Sequence, residues 1–399
     1  MKKILSIIFI ILFLLSCWKK DYESINNLNN KIKNSTNEKY FTFNELNNTI
    51  TEYNKKWWKY IIIPKTIKWK KVTKIWNKAF IGKNIKSIII PDSVTSIWDE
   101  AFLDNKLSNI VIPNSVTHIW NVAFANNRLT NIAIPDSITH IWDYAFESNL
   151  LTNIVISKNI INIWESAFEN NQLTNIIIPG SITHIWKNTF SWNKITNVNI
   201  TSNITYIWDY AFYKNNLTNI KIPNSVTHIW YKAFGNNNLT SLTIPENITN
   251  IWGYAFSNNK LTNVVIPNNI THIWNSAFYE NKLKDIVLSN NITSIWSSAF
   301  ENNQLTNIKI PSSLTYIWDS AFKNNQLTDI VVPNSVINIW KEAFYNNQLT
   351  DIVIPNSVIS IWDYAFGANW FITKIPNSVI NKWKDIFFSK PKRKPVLFY

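Results

Sequence analysis

Apolar and polar positions follow one 22-residue pattern along most of the chain. One copy reads NSVTHIWNVAFANNRLTNIAIP over residues 114–135, and the copy after it repeats most of these residues. Each copy has Ile before Trp, Phe four residues after Trp, and then, five residues after Phe, Leu or Ile except in the last copy. A fixed period of this kind indicates stacked repeat units, not separate globular domains. The fourteen regular copies have Trp76, Trp98, Trp120, Trp142, Trp164, Trp186, Trp208, Trp230, Trp252, Trp274, Trp296, Trp318, Trp340 and Trp362, and a degraded fifteenth copy has Trp383.

Each copy also contains a short alternating stretch that is typical of a β-strand and is usually closed by proline. In one such stretch Ile154 and Ile156 are expected to point inward and Val155 outward, because side chains alternate along a strand. One copy cannot bury its apolar side alone, so it stacks on its neighbours. The pattern therefore predicts a repeat solenoid of the leucine-rich repeat type over residues 61–376. It has a parallel β-sheet on one face and about 14 repeats of 22 residues.

An asparagine stands two residues before the leucine in nearly every copy, as Asn105, Asn127 and Asn149 show. An amide that points inward can pair with backbone groups of the turn that would otherwise be buried without partners. We therefore interpret this asparagine as a structural ladder and not as a binding site.

These residues carry a family resemblance. The consensus LTNIxIPxSVTxIxxxAFxxN resembles the BspA-like class of bacterial leucine-rich repeats over about residues 64–376. The resemblance implies a surface-displayed protein that acts in adhesion or host interaction, without catalysis. Asn105 stands where the family has Cys or Asn. The chain departs from the family at one place, because it has Ile-Trp fourteen times where the family has Ile-Gly.

The repeated tryptophan has two interpretations. If the residues are tryptophans in the cell, they form a stripe of indoles that is exposed along one edge or strains the coil locally. The chain has only 5 glycines against 21 tryptophans. Some bacteria read the UGA codon as glycine, so a second hypothesis is that most of these positions hold glycine in the native protein. Glycine suits a corner that needs a positive φ or a close backbone approach.

The first residues, MKKILSIIFIILFLLSC, have the basic start and short apolar run of a secretory signal. Leu14-Leu15-Ser16-Cys17 resembles a bacterial lipobox, so we predict a lipoprotein signal peptide at 1–17 and a lipid anchor to the membrane through Cys17. A cleaved signal without lipid and an uncleaved anchor are the alternatives. Residues 18–60, rich in Asn and Lys, are predicted to be a tether. Residues 377–399 are predicted to hold the degraded last repeat and a basic tail.

The net charge of +14 lies at the two ends, and the repeat body between them is slightly acidic. The charge therefore gives no support to nucleic acid as a partner of the repeats. The basic ends are either solvated lysines or contacts for an anionic membrane or envelope polymer.

Residues that could catalyse a reaction or bind a metal occur at fixed positions of the repeat. The five histidines all stand two residues before a repeat tryptophan, where other copies have Ser, Asn or Tyr. Acidic residues after the tryptophan alternate with Asn, Lys and Ser in the same way, which is typical of a solvated rim. We expect no enzyme activity, no cofactor and no metal site. The histidines are His118, His140, His184, His228 and His272.

The outward middle residue of each predicted strand offers the most informative surface. Most members of this row are β-branched, which either provides a stripe for an extended protein partner or only reflects strand preference. We predict a surface-exposed solenoid, anchored at the bacterial cell envelope, that binds extracellular or surface proteins and mediates host or cell–cell contact. The alternative is a structural envelope protein that self-associates. The candidate contact residues, called the front row below, are Val111, Ala133, Val155, Ile177, Asn199, Lys221, Thr243, Val265, Val287, Lys309 and Val331.

Overall fold

The computed structural model describes residues 37–55 and 59–370, and the signal peptide, Cys17 and the basic tail lie outside these ranges. The described chain is a stack of 22-residue turns with three sides, and backbone hydrogen bonds join neighbouring turns. The predicted repeat solenoid of the leucine-rich repeat type is confirmed.

The front face has three-residue strands that pair in parallel between neighbouring turns, in five separate short sheets. Ile132 pairs with Ile154, and Ile330 pairs with Ile352, so the register advances by one repeat per turn. Between 107 and 112 the backbone forms no regular strand, yet Ile110 and Ile112 are buried and Val111 is exposed, as the alternation predicts. The front strands are Tyr60–Ile62, Ser87–Ile89, Asn131–Ala133, Asn153–Val155, Asn175–Ile177, Asn197–Asn199, Ser241–Thr243, Asn263–Val265, Asp285–Val287, Asp329–Val331 and Asp351–Val353.

The back face is a second parallel ladder, made of two-residue strands that end at the isoleucine before each tryptophan. Ile207 pairs with Ile229, and the backbone N–H of Trp230 donates to the carbonyl of Ile207 at 2.9 Å. Strand pairing on this side was not predicted from the sequence. The back strands are Lys74–Ile75, Ser96–Ile97, His118–Ile119, His140–Ile141, Asn162–Ile163, His184–Ile185, Tyr206–Ile207, His228–Ile229, Asn250–Ile251, His272–Ile273, Ser294–Ile295, Tyr316–Ile317, Asn338–Ile339 and Ser360–Ile361.

The third side, called the turn side, runs from each tryptophan to the next leucine and consists of tight turns. Two positions in each turn have a left-handed backbone, as at Val122 (φ 60°) and Asn126 (φ 52°). The N–H of Val122 donates to the carbonyl of Asp143 in the following turn at 2.8 Å. These hydrogen bonds between turns hold non-glycine residues in a conformation that they seldom adopt.

The core is a column of repeated side chains between the three sides. Phe102 and Phe124 are fully buried, and their ring centroids are 5.2 Å apart, which confirms that they lie on neighbouring turns. The residue before each phenylalanine is also buried; it is alanine, as at Ala101 and Ala123, except for Thr189. Each turn therefore hides its apolar residues only by stacking on another turn.

The asparagine ladder has the predicted inward position. Asn127 is 6% exposed, and its amide nitrogen donates to the carbonyls of Phe102 at 2.9 Å and Phe124 at 3.1 Å. Its side-chain oxygen accepts the N–H of Leu107 at 3.0 Å. The same pattern recurs along the stack, for example at Asn281.

A small cap closes the N-terminal end of the core. A 3-10 helix, Glu38–Tyr40, leads into the antiparallel strands Phe41–Asn44 and Thr49–Tyr53. The ring of Tyr53 stacks on Phe80 with centroids 5.4 Å apart, so the cap covers the first phenylalanine of the column. The folded part therefore begins before residue 61, inside the segment 18–60 that was assigned to a tether, because the first turn needs a cover. Two further short strands, Thr66–Ile67 and Lys70–Lys71, form a hairpin in the first turn.

Candidate functional site

All eleven residues of the front row are exposed, so the structure brings the predicted contact residues together on one side of the stack. Val265 and Val287 are paired neighbours and are 71% and 81% exposed. The buried residues on either side, such as Val264 and Ile266, point into the core. The backbone of these strands is already paired along the ladder, which leaves side chains as the means of contact.

The front row is divided into apolar stretches by polar residues. Ala133 pairs with Val155 in the first stretch, and Val331 pairs with Val353 in the last. Lys221 and Lys309 are exposed members of the same row. The turns with these lysines form no front strand, and the row combines apolar area with a few positive charges.

The repeat tryptophans form a continuous ladder at the end of the back face. Neighbouring indoles are stacked, with centroids 4.9 Å apart for Trp120 and Trp142 and 5.9 Å apart for Trp142 and Trp164. The two terminal members are exposed, Trp76 at 38% and Trp362 at 48%, and the other twelve are half-buried, so the expected stripe reaches solvent only in part. Stacking on both faces hides most of each indole, and only an edge reaches solvent.

Burial leaves the indole nitrogens without partners. Ten repeat tryptophans have a buried Nε1 that makes no hydrogen bond to any described residue. A buried indole N–H usually has an acceptor, so these ten donors are an unusual feature of the fold. They are Trp98, Trp142, Trp164, Trp186, Trp208, Trp230, Trp252, Trp274, Trp296 and Trp340.

None of the fourteen repeat tryptophans has a positive φ. The prediction that glycine is needed at these positions for a left-handed backbone is therefore wrong. The left-handed positions come two and six residues later, because the backbone pairs with the next turn there. Two other tryptophans do have a positive φ, Trp69 at 67° and Trp192 at 54°. Trp192 occupies the repeat position at which the first turn has Gly82 (φ 64°).

The histidines are held by their own turns. Each Nδ1 lies 2.7–2.8 Å from the hydroxyl of the preceding threonine, as for His118 and Thr117. The ring of His118 also stacks on Trp120. Burial lowers the pKa of His184. Among the described residues, no three His, Cys, Asp or Glu side chains lie together as a metal site would require.

The acidic residues after the tryptophans link neighbouring turns. A carboxylate oxygen of Asp143 accepts the N–H of Glu165 at 3.0 Å, and one of Asp209 accepts the N–H of Tyr231 at 2.9 Å. Burial raises the pKa of both aspartates. One carboxylate oxygen of each aspartate is used by the fold, which gives these residues a structural role.

A tyrosine cluster on the turn side was not predicted from the sequence. The ammonium of Lys232 lies 4.9 Å from the ring centre of Tyr254 and 5.2 Å from that of Tyr231, with Tyr210 and Tyr213 slightly further away. Burial, followed by the neighbouring Tyr231, raises the pKa of Tyr210 to about 12. The lysine already occupies the space between the rings, so the cluster stabilises this part of the stack. Tyrosines recurring at the left-handed position could have signalled it.

Within the described ranges the structure contains no long apolar helix of the kind that crosses a membrane.

Comparison with known proteins agrees with this geometry. A family model described as "BspA type Leucine rich repeat region (6 copies)" matches residues 73–196, 183–305 and 293–392. A search of curated proteins finds no match.

Two solved structures with a TM-score above 0.5 share the fold, and a third is also similar to this chain. A leucine-rich repeat protein from Bacteroides ovatus is 23% identical with a TM-score of 0.58, and the match covers 85% of this chain and 84% of that chain. The pneumococcal vaccine antigen PcpA is 18% identical with a TM-score of 0.53, and the match covers 88% and 94% of the two chains. A leucine-rich cell surface protein from Faecalibacterium prausnitzii is 24% identical with a TM-score of 0.49, and the match covers 88% and 96%.

Proposed function

Because the chain belongs to the BspA-type leucine-rich repeat family, whose repeats generally form binding scaffolds, we propose that it is a surface-exposed adhesion protein. It binds extracellular or cell-surface proteins through the front row and mediates host or cell–cell contact. It has no catalytic role and needs no cofactor.

One observation carries this proposal: the exposure of aliphatic side chains at the middle of successive front strands. Val265, Val287 and Val331 are 71%, 81% and 70% exposed, and Ile177 is 69% exposed. Covering apolar area contributes roughly 25 cal/mol per Å², so several such residues together give a useful contact. Equivalent contacts on successive turns suit an extended segment of a partner protein and give avidity.

Attachment to the cell is the second part of the proposal. The lipobox-like Leu14-Leu15-Ser16-Cys17 supports a lipid anchor on Cys17 at the bacterial cell envelope. A segment of about twenty residues between the anchor and the cap would hold the solenoid clear of the bilayer. The related protein PcpA is a pneumococcal vaccine antigen, which is in keeping with display at a surface.

The test is binding of the purified protein to a panel of immobilised extracellular-matrix and cell-surface proteins. The variant Val265→Lys/Val287→Lys adds two charges to the apolar row, and circular dichroism checks that it keeps its strands, because Lys221 and Lys309 occur in turns without a front strand. We expect the variant to lose about tenfold or more in affinity, since each buried valine contributes of order 1 kcal/mol or more.

The matched control places the same charges on the turn side. Asn216→Lys/Gln326→Lys changes two exposed residues at a repeat position where Lys194 and Lys260 already occur. This control should bind like the original protein. Equal binding by both variants, or concentration-dependent self-assembly without any protein ligand, would overturn the proposal, and self-assembly would favour a structural role in the envelope.

A further inference from the structure

The two most exposed large apolar side chains of the described ranges lie at the N-terminal end of the stack. Leu46, in the turn between the strands Phe41–Asn44 and Thr49–Tyr53, is 95% exposed. Trp69, in the turn of the hairpin of the first repeat, is 99% exposed. The turn around Leu46 is fixed, because its N–H donates to the side-chain oxygen of Asn44 at 2.9 Å. At this exposure neither side chain contributes to the core.

The two turns lie side by side, because the polar residues next to these side chains are bonded together. The ammonium of Lys68 lies 2.7 Å from a carboxylate oxygen of Glu45, and that of Lys70 donates to the carbonyl of Glu45 at 2.9 Å. Leu46 follows Glu45 directly, and Trp69 stands between the two lysines. The two apolar side chains therefore belong to one surface. This surface, called the tip surface below, consists of Leu46, Lys68, Trp69, Lys70 and Lys71.

The first turn, which carries most of the tip surface, is also strongly basic. Residues 60–90 contain eight lysines and no acidic residue, whereas residues 91–112 contain four acidic residues and one lysine. Of the eight, only Lys65, Lys68 and Lys78 form ion pairs with described residues. Most of this positive charge is therefore uncompensated and attracts an anionic surface.

This end of the stack is also the end next to the predicted anchor. Residues 18–36 are all that separate Cys17 from the first described residue, Asn37. Because an extended chain spans at most ~3.5 Å per residue, the cap lies within about 70 Å of a lipid on Cys17. Such confinement raises the effective concentration of the tip surface at the bilayer.

Exposed apolar tips surrounded by lysines match the chemistry of an anionic bilayer. Lysines near an anionic leaflet are attracted to its charged headgroups. Indole and aliphatic side chains enter the boundary between headgroups and acyl chains. A soluble polyanion would use the lysines but would leave Leu46 in water. The bilayer that holds the anchor offers both environments, and it is the surface that this end of the stack meets first.

We propose that the tip surface and the other lysines of the first turn bind the anionic lipid bilayer to which the chain is anchored. The location rests on the proposed attachment through Cys17, whereas the affinity for anionic lipid comes from described residues alone. The contact does not require tryptophan at position 69, because Leu46 and the lysines remain if the native protein has glycine there. It also leaves the front row free, since Val265 lies eight turns beyond Ile89, at roughly 4.8 Å per turn.

The test is co-sedimentation of the chain from Trp18 onward with lipid vesicles. This form lacks Cys17 and cannot carry the lipid, but it keeps every described residue. We expect it to bind vesicles of phosphatidylcholine with about 30% phosphatidylglycerol at least tenfold more tightly than vesicles of phosphatidylcholine alone. High salt should weaken this preference, because it screens the lysines.

The charge variant is Lys70→Gln/Lys71→Gln, which should bind the anionic vesicles about tenfold more weakly, since each lysine near an anionic surface contributes several-fold. The matched control, Lys282→Gln/Lys284→Gln, removes the same charge from exposed positions in distant turns and should change the affinity less than about twofold. Circular dichroism checks that both variants keep the fold.

The apolar variants are Leu46→Asn and Trp69→Gly, and the φ of 67° at Trp69 suits glycine. Each should lower the affinity several-fold and leave the salt dependence unchanged, because the lysines remain. The control Ile359→Thr removes an exposed aliphatic side chain at a repeat position where Thr315 occurs, and it should bind like the original protein.

Three results would overturn the proposal: no preference for anionic vesicles, equal losses in the distant lysine control, or unchanged vesicle affinity in Leu46→Asn. The last result, together with equally tight binding to soluble heparin, would identify the lysines as a site for a polyanion. Mass spectrometry of the native protein detects a lipid on Cys17 separately, so failure of the vesicle test and failure of the proposed anchor are distinguishable.

Discussion

The side-chain amide of Asn127 donates to the carbonyl of Phe102, one turn earlier, at 2.9 Å. The same amide serves the carbonyls of Phe124 and Ala125 in its own turn, and its oxygen accepts the N–H of Leu107. One short side chain thus pairs four backbone groups on two turns. This is what allows the backbone to bend sharply inside the core without leaving buried polar groups unpaired.

Substitution Asn127→Ala should lower the free energy of unfolding by about 3 kcal/mol, because it leaves several buried backbone groups without partners. Chemical denaturation followed by circular dichroism measures the change. The control Asn131→Ala removes an exposed amide from the same turn and should cost less than about 0.5 kcal/mol. Similar losses for the two variants would contradict a structural role for the ladder.

Glycines test how closely neighbouring turns approach one another. A Cβ atom at Gly253 would lie 3.3 Å from both the carbonyl oxygen of Asn275 and the ring of Tyr231, whereas one at Gly180 would meet nothing closer than 3.9 Å. We expect Gly253→Ala to destabilise the protein by about 1 kcal/mol through crowding. Gly180→Ala should be neutral or stabilise it by about 0.5 kcal/mol, since alanine restricts the unfolded chain. Thermal unfolding of the two variants measures both changes in stability. A larger loss for Gly180→Ala than for Gly253→Ala would show that the turns can separate freely.

The stability should depend on the ionisation of Glu147. Burial, together with the negative charge of Glu169, raises the pKa of Glu147 above its usual value of 4.5. The folded state therefore favours the protonated carboxyl, and this stability is present below pH 4.5 and lost as the pH rises through the folded-state pKa. Glu147→Gln should raise the midpoint of thermal unfolding at pH 7, and the gain should disappear near pH 4.

A series of unfolding midpoints between pH 3 and 8 measures this effect. The control Glu246→Gln changes an exposed carboxyl. Its unfolding midpoint should differ from that of the original protein by the same amount at every pH. A constant difference for Glu147→Gln at every pH would mean that the substitution acts through packing.

Much of the fold could be predicted because each side chain meets the same neighbours in every turn. The inward positions of Ile110 and Ile112, the outward position of Val111 and the buried Asn127 all follow from alternation and periodicity. The second strand ladder could not be predicted, since its two-residue strands are too short to show alternation. The left-handed backbone at Val122 has no local signature either, because pairing with the next turn imposes it.

The candidate surfaces also differ in how far the sequence predicts them. The exposure of the front row follows from the strand period, so the sequence was enough to place Val265 and Val287 outside. The cluster around Lys232 depends on which turns are adjacent, because Tyr210, Tyr231 and Tyr254 lie on successive turns.

The tryptophan ladder leads to the last prediction. Stacking brings Trp142 within 4.9 Å of Trp120, but its Nε1 is buried without an acceptor, and nine other indoles share this defect. Trp192 carries a bulky side chain at φ 54°, where Gly82 stands in the first turn. Each unpaired buried donor costs about 1–3 kcal/mol, and the left-handed backbone of a non-glycine residue costs about 1 kcal/mol more. Glycine at these positions removes both costs.

The hypothesis that UGA codons are read as glycine therefore predicts the composition of the native protein. Peptide mass spectrometry of protein purified from its natural source should find glycine at positions 120, 142 and 192. A recombinant protein made from the printed sequence is the control, and its peptides should carry tryptophan at all three positions. Tryptophan at position 142 in the native peptide would establish the stacked ladder as a genuine part of the fold, with its indole edges available to a partner.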